Sequence, residues 1–203
     1  MIIGIAGKMG SGKDYICNNY IIPVLKQCCS NFLQISFADQ LKVNVMTKNN
    51  INFESVYINK TNETRNLLQK EGTEFGRNTL GDDIWIRYLD NWVNVYNSRG
   101  ITDFICSDVR FVNEIEYIKK KGGIIIKIDA PKRNLERLLQ ESHGDPEILN
   151  KLKNHISECE LDNLSNDNYD LIIKNDIEDL PPNKDEFLKI YNMYTKFKKI
   201  PFL

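Results

Sequence analysis

The chain has 203 residues, 41% hydrophobic and 27% charged, and its 27 basic and 28 acidic side chains leave a formal charge of −1. That length and composition suit one α/β domain with a sizeable core, and the near-neutral balance argues against a protein that coats nucleic acid. Five cysteines, an odd number in no metal-ligand spacing, argue against a disulfide scaffold and for a reducing compartment. Cys28 and Cys29 are adjacent and lack the two-residue gap of a zinc knuckle.

The run Ile2–Ala6 predicts a first buried strand, and Lys13–Gln27 a helix that Pro23 should kink or end early. A strand at Phe32–Phe37 and a helix at Gln40–Met46 follow, then a long polar connection, Lys48–Thr61. Helices are expected at Glu63–Gly76 and Asp82–Asn97. In the second, Ile84, Tyr88, Trp92 and Val95 recur at spacings of three or four, with Gly100 just beyond the end. Asp103–Cys106, Gly123–Ile128 and Asp170–Ile173 predict the remaining strands, and Val112–Lys121, Asn134–Gln140 and Lys184–Lys196 the remaining helices. Nearly continuous apolar strands alternating with helices predict a parallel sheet buried on both faces. Gln140 to Asn168 breaks the rhythm: it is polar, contains Gly144-Asp145-Pro146 and offers no strand, so it is either disordered or a functional flap. Apolar runs of about 7 residues at most fall far short of the roughly 20 that span a bilayer. The segment Met1–Ala6 is apolar without a basic n-region, so a secretory leader is not expected. The expected location is the cytoplasm, without membrane attachment.

Gly7-Lys8-Met9-Gly10-Ser11-Gly12-Lys13 follows the first strand and precedes the first helix, the context in which Gly-x-x-x-x-Gly-Lys marks a phosphate-binding loop. Glycines let successive N–H groups turn inward around an anion. The helix adds its positive end, and Lys13 would span the β- and γ-phosphates of a nucleotide. Gly7, Gly10, Ser11, Gly12, Lys13, Asp14 and Tyr15 are therefore the candidate ATP-binding residues. Asp14 stands where a magnesium-contacting Ser or Thr is usual, which disfavours the commonest GTPase and motor families.

The form Gly-x-x-x-Ser-Gly-Lys-Asp resembles the loop of the deoxynucleoside monophosphate kinases of phages and large viruses, and that of the animal-type phosphomevalonate kinases. Four further segments resemble the first family in collinear order. They are Ser36-Phe37-Ala38-Asp39-Gln40-Leu41-Lys42, Arg65 to Glu74 continuing through Arg77, Asp83 and Trp85, Ser107 to Glu114, and His155-Ile156-Ser157-Glu158 with Leu161-Asp162. The resemblance implies a three-layer P-loop NTPase fold of the NMP-kinase-like α/β type. Its five-stranded parallel sheet has the order 2-3-1-4-5, helices on both faces and a lid insert. It implies one domain over residues 1–203, with an NMP-binding region about 39–100 and a lid about 131–168. The implied reaction is ATP + dNMP → ADP + dNDP with Mg²⁺, supplying deoxynucleotides for DNA synthesis, in the host cytoplasm if the chain is viral. Related enzymes suggest a homodimer.

Such a kinase brings two polyanions into line, and because its acceptor is already an anionic phosphate oxygen no general base is needed. Charge neutralisation by Lys, Arg and Mg²⁺ does the catalysis. Lys13, Arg110 and the lid arginines Arg133 and Arg137 are the catalytic candidates. Arg110 lies just past a strand, on the edge where open α/β sheets bind ligands. Asp14 and Asp108 are the candidate metal ligands. A strand-capping salt bridge is the competing reading for Asp108 and Arg110, and a solvated helix face for Arg133 and Arg137. The acceptor candidates are Phe37, Asp39, Lys42, Arg65, Gln69, Arg77, Trp85 and Arg110. Asp39 could instead cap the helix beginning at Gln40, and Trp85 falls on the apolar face of its helix, where a core role competes. His143 and His155 show no catalytic pattern. Two other functions remain open: a phosphomevalonate kinase, which shares Ser157-Glu158 and Leu161-Asp162-Asn163, and a non-catalytic nucleotide-binding module. Five of the seven arginines fall where phosphates would need them.

Overall fold

A computed structural model describes residues 1–27, 31–176 and 184–198; the Cys28-Cys29 pair lies outside the described residues. The chain divides into two compact units, Met1–Leu33 with Asp103–Leu203, and Gln34–Thr102.

Strands β1 (Ile2–Ala6), β2 (Phe32–Ile35), β3 (Asp103–Val109), β4 (Ile124–Asp129) and β5 (Leu171–Lys174) form one sheet in the order β2-β3-β1-β4-β5. β1 runs parallel to both β3 and β4, with Ile3 opposite Ile105 on one side and Ile124 on the other. β4 runs parallel to β5. The five-stranded α/β fold is the one the family resemblance implied.

Strand periodicity explains the layers. Ile3, Ile5, Ile105, Ile126, Ile128 and Ile173 join Ile16, Cys17, Ile21 and Leu25 of the first helix and Ile190 and Tyr194 of the last in one buried cluster. Gly4 faces the other way. The Val112–Lys120 helix packs so closely there that a Cβ on Gly4 would lie 2.6 Å from Ile118 Cδ1. Gly123, at the entry to β4, is tighter still, since its Cβ would meet the Ile2 carbonyl oxygen at 2.2 Å. Gly123→Ala is therefore expected to destabilise the protein by roughly 2–3 kcal/mol, read as a fall in Tm of roughly 5–10 °C for a chain of this size.

Several elements differ from expectation for local reasons. Pro23 does not end the first helix. The chain instead runs as α-helix Lys13–Ile16, a wide π turn Cys17–Ile21, and α-helix Ile22–Leu25. The wider turn accommodates a residue that has no N–H to give its i−4 carbonyl. β3 extends three residues past Cys106, through polar Ser107 and Asp108. Its register against β1 shifts between Gly4 and Ala6, a bulge that re-aims the strand end. The polar stretch after Gln140 is structured: Asp145 accepts the N–H groups of Glu147 and Ile148 to cap helix Pro146–Lys153, and His155 caps the short helix Ile156–Cys159.

In the Gln34–Thr102 unit, the polar connection holds the short helix Phe53–Tyr57, capped by Asn52. Residues 62–80 form one long helix whose Lys70–Arg77 portion is π-helical. Among the described residues no helix is long and apolar enough to cross a membrane.

Candidate active site

The loop between β1 and the first helix takes the conformation that its glycines permit. Gly10 and Gly12 have φ of 75° and 76°, left-handed values that side chains disfavour. Gly10 is also crowded, as a Cβ there would lie 2.5 Å from Arg137 Cβ and 2.9 Å from the Arg133 carbonyl oxygen. The Pro131–Glu141 helix is thus packed directly on the loop. Asn175, just past β5, donates from Nδ2 to the Ser11 carbonyl at 2.9 Å. Its neighbour Asp176 accepts the N–H groups of Lys132 and Arg133, each at 3.0 Å, and so caps that helix. Ser11 Oγ is buried with no hydrogen-bond partner among the described residues, an orphaned donor inside a loop of phosphate-binding form.

Lys13 begins the first helix and is buried. Burial, reinforced by the nearby Arg110 guanidinium, pushes its pKa down from 10.5 to about 8, while Asp14, Glu158 and Asp108 pull it back up. The charges of Arg110, Asp14, Glu158 and Asp108 are thus all felt at the Lys13 amine. An arriving polyphosphate would restore the positive charge of Lys13. At pH 8, ATP binding is expected to take up about half a proton through Lys13, given a pKa of about 8. Calorimetry in buffers of different ionisation enthalpy measures this, with Lys13→Met as the control; equal uptake by both proteins would contradict it.

Arg110 follows β3. Its backbone N–H donates to Glu114 Oε2 at 2.7 Å, and the same oxygen takes the Phe111 N–H at 3.1 Å, so Glu114 fixes the turn carrying the arginine. The guanidinium forms an ion pair with Glu158. Asp108 Oδ1 accepts from the Cys106 thiol at 3.1 Å, and burial holds that thiol well above its ordinary pKa. Lys8 at the loop pairs with Asp162 at 2.6 Å. Two cavities flank the loop. One, of about 400 Å³, is lined by Gly10, Gly12, Lys13, Asp14 and Tyr15 together with Arg133 and Arg137. The other, of about 250 Å³, is lined by Gly7, Lys8, Ser11, Arg110, Asn134 and Glu158. Arg133 is exposed, and Arg137 pairs with Glu141 one turn on.

The donor set suits a magnesium ion that arrives with phosphates. Asp14 is exposed in the first helical turn and Asp108 half-buried at the end of β3. Among the described residues no cluster of three or more His, Cys, Asp or Glu could cage an ion by itself. Magnesium is commonly held by one or two carboxylates plus substrate phosphate oxygens, which these two aspartates fit.

The other acceptor candidates belong to the Gln34–Thr102 unit. Asp39 is the first residue of helix Asp39–Asn49 and not its cap. Its carboxylate accepts from Tyr57 Oη at 3.2 Å and pairs with Lys42 at 3.5 Å, while Lys42 Nζ lies 4.4 Å from the Tyr57 ring centre. Arg65 and Gln69 sit half-buried on helix Asn62–Gln69. Arg77 is buried and donates to the Asp82 carbonyl at 2.9 Å. Phe37 is buried, as is Trp85, whose indole N–H donates to the Gly72 carbonyl at 2.9 Å. Asn134, Glu158, Asn175 and Asp176 were not among the candidates. Glu158 stood in a recognisable motif without a role, and the other three carry no sequence signal.

A parallel five-stranded sheet with a Gly-x-x-x-x-Gly-Lys loop at the end of its central strand is the architecture of a phosphotransferase of the P-loop class. The family model for deoxynucleotide monophosphate kinase matches residues 16–181, and the chain belongs to that family. A protein of Acanthamoeba polyphaga mimivirus, named as a candidate deoxynucleotide monophosphate kinase, is 31% identical over 150 residues, spanning 64% of this chain and 75% of the relative. Among solved structures, a shikimate kinase from Acinetobacter baumannii in complex with shikimate is similar with a TM-score of 0.40 at 14% identity, covering 99% of this chain and 95% of that one. Dephospho-CoA kinase from Campylobacter jejuni is similar with a TM-score of 0.41 at 15% identity, covering 98% and 97%.

Proposed function

We propose that the protein transfers the γ-phosphoryl group of ATP to a deoxynucleoside monophosphate, yielding ADP and the dNDP for DNA synthesis. The observation that carries this reading is that Arg110 lines one cavity with Gly7, Lys8 and Ser11 of the phosphate loop in a member of the deoxynucleotide monophosphate kinase family. A bond forms between an acceptor phosphate oxygen and Pγ, and the bond from Pγ to the β–γ bridging oxygen breaks, with ADP leaving. The acceptor oxygen is already anionic, so the chain supplies no base. Lys13 and the loop N–H groups hold the donor phosphates, Arg110 draws charge from the transferring group, and Arg133 and Arg137 close from the lid, residues 131–168. Mg²⁺, held by Asp14 and Asp108 together with phosphate oxygens, would neutralise the triphosphate.

In this reading residues 39–100, with Phe37 at their edge, hold the acceptor through Asp39, Lys42, Arg65, Gln69, Arg77 and Trp85. The free, buried thiols of Cys17 and Cys106 suit a reducing, cytoplasmic setting. A coupled assay with ATP and a panel of dNMPs, NMPs and phosphomevalonate tests the assignment. Turnover is expected with at least one dNMP; turnover with phosphomevalonate instead, or none alongside tight ATP binding, would overturn it.

A further inference from the structure

Met9, in the middle of the phosphate loop, is held on both sides by side chains remote in sequence. Its N–H donates to Glu158 Oε2 at 2.8 Å, and its carbonyl accepts from Asn134 Nδ2 at 2.7 Å. Asn134 Nδ2 also lies 3.5 Å from the same glutamate oxygen, so the three groups close a ring. Asn134 is 9% and Glu158 6% exposed, which removes competing water. The other oxygen of Glu158 takes Arg110 Nη1, and that nitrogen lies 3.5 Å from the Ser157 carbonyl.

We propose that Asn134 and Glu158 are positioning residues that clamp the Met9 turn of the phosphate loop and hold the Arg110 guanidinium in register with it. The inference rests on the phosphoryl-transfer reading for its kinetic consequence, but its geometric content is independent of the acceptor. A loop with glycines at 7, 10 and 12 has much backbone freedom to lose on binding phosphate. Side chains that order it beforehand spare the nucleotide that entropy cost. Glu158 is the only one of the two that touches both loop and arginine, so it sets their separation. A carboxylate suits the role because both of its oxygens accept. In Glu158→Gln the amide oxygen can accept from Met9 or from Arg110, but the NH₂ group would face a donor at the other contact.

Glu158→Gln and Asn134→Ala, each with Tm monitored, provide the test. Each variant is expected to raise the KM for ATP about threefold or more, because the nucleotide must then order the loop itself, and to lower kcat by roughly 10- to 100-fold as the Arg110 guanidinium loses register. Because Asn134 and Glu158 act on one residue, the double variant should lose much less than the product of the single losses. Glu158→Asp, which restores the charge, should recover part of kcat. Exchange of the Met9 amide in the free protein, followed by NMR, needs no acceptor. It should rise by about tenfold or more in Glu158→Ala, the scale of a lost hydrogen bond, while the Ile5 and Ile126 amides of the sheet stay protected. Unchanged Met9 exchange, or multiplicative losses in the double variant, would overturn the clamp. A wild-type protein with no turnover on any dNMP would overturn the functional reading instead, and Met9 exchange would still decide the clamp.

Discussion

Lys13→Met is expected to lower kcat by roughly 10³-fold, the scale of removing one preorganised charge from a phosphoryl-transfer site, without unfolding the protein. Methionine keeps the aliphatic stem and removes only the amine. The effect on stability follows from the depressed pKa of Lys13. Lys13 binds its proton less tightly in the folded chain, at about 8, than in the unfolded chain near 10.5. Between those values the unfolded state binds more protons, so this residue makes stability rise with pH from about 8 towards 10.5. Below that window its charge is a net cost to the fold. Lys13→Met should therefore melt no lower than the wild type at pH 7, and its stability should lack the alkaline rise. Denaturant titrations at several pH values, alongside kcat, separate the two effects. A variant that is inactive because it is unfolded, or folded and nearly fully active, would contradict this account.

Arg110 carries the second large effect, and removing it should affect both rate and stability. Arg110→Lys keeps a charge but loses the planar fork, and kcat should fall by roughly 10²-fold or more. Arg110→Ala leaves Glu158 without its cation, where the two side chains are 21% and 5% exposed. Stranding a carboxylate that deep is expected to cost roughly 1–3 kcal/mol. Adding Glu158→Gln to Arg110→Ala should return much of that stability while leaving activity low, because the fold regains a neutral partner and the phosphates regain nothing. Thermal melts and steady-state rates on the four proteins test it. Equal stability of Arg110→Ala and its double variant would show that the pair is not the source of the loss.

The sheet and the loop were legible because their signals are local. Five short apolar runs separated by helical periodicity define the strands, and the glycines, Lys13 and the helix after them stand within a few residues of one another. Arg110 was legible from its place just past a strand. The contacts that organise the loop were not, because Met9 meets Asn134 and Glu158 at separations of 125 and 149 residues. A single asparagine in an amphipathic helix has nothing to distinguish it from a surface residue. Asn175 and Asp176 are hidden for the same reason. The end of β3 is not legible, because polar Ser107 and Asp108 enter the strand, and the form of the distortion near Pro23, a wide π turn, is not either. Both are tertiary accommodations that periodicity does not encode. Asp39 reads from its residue type as an acceptor-site residue or a helix cap; the helix begins at Asp39 itself, so it is not the cap, and its carboxylate turns to Tyr57 and Lys42.

Transfer of a phosphoryl group to a phosphate acceptor can be observed directly by phosphorus NMR of the wild-type protein with ATP, Mg²⁺ and a mixture of dNMPs. One or more monophosphate signals are expected to disappear in step with the appearance of ADP and the matching dNDP. Release of inorganic phosphate with the monophosphates untouched, or no change in any signal, would contradict it.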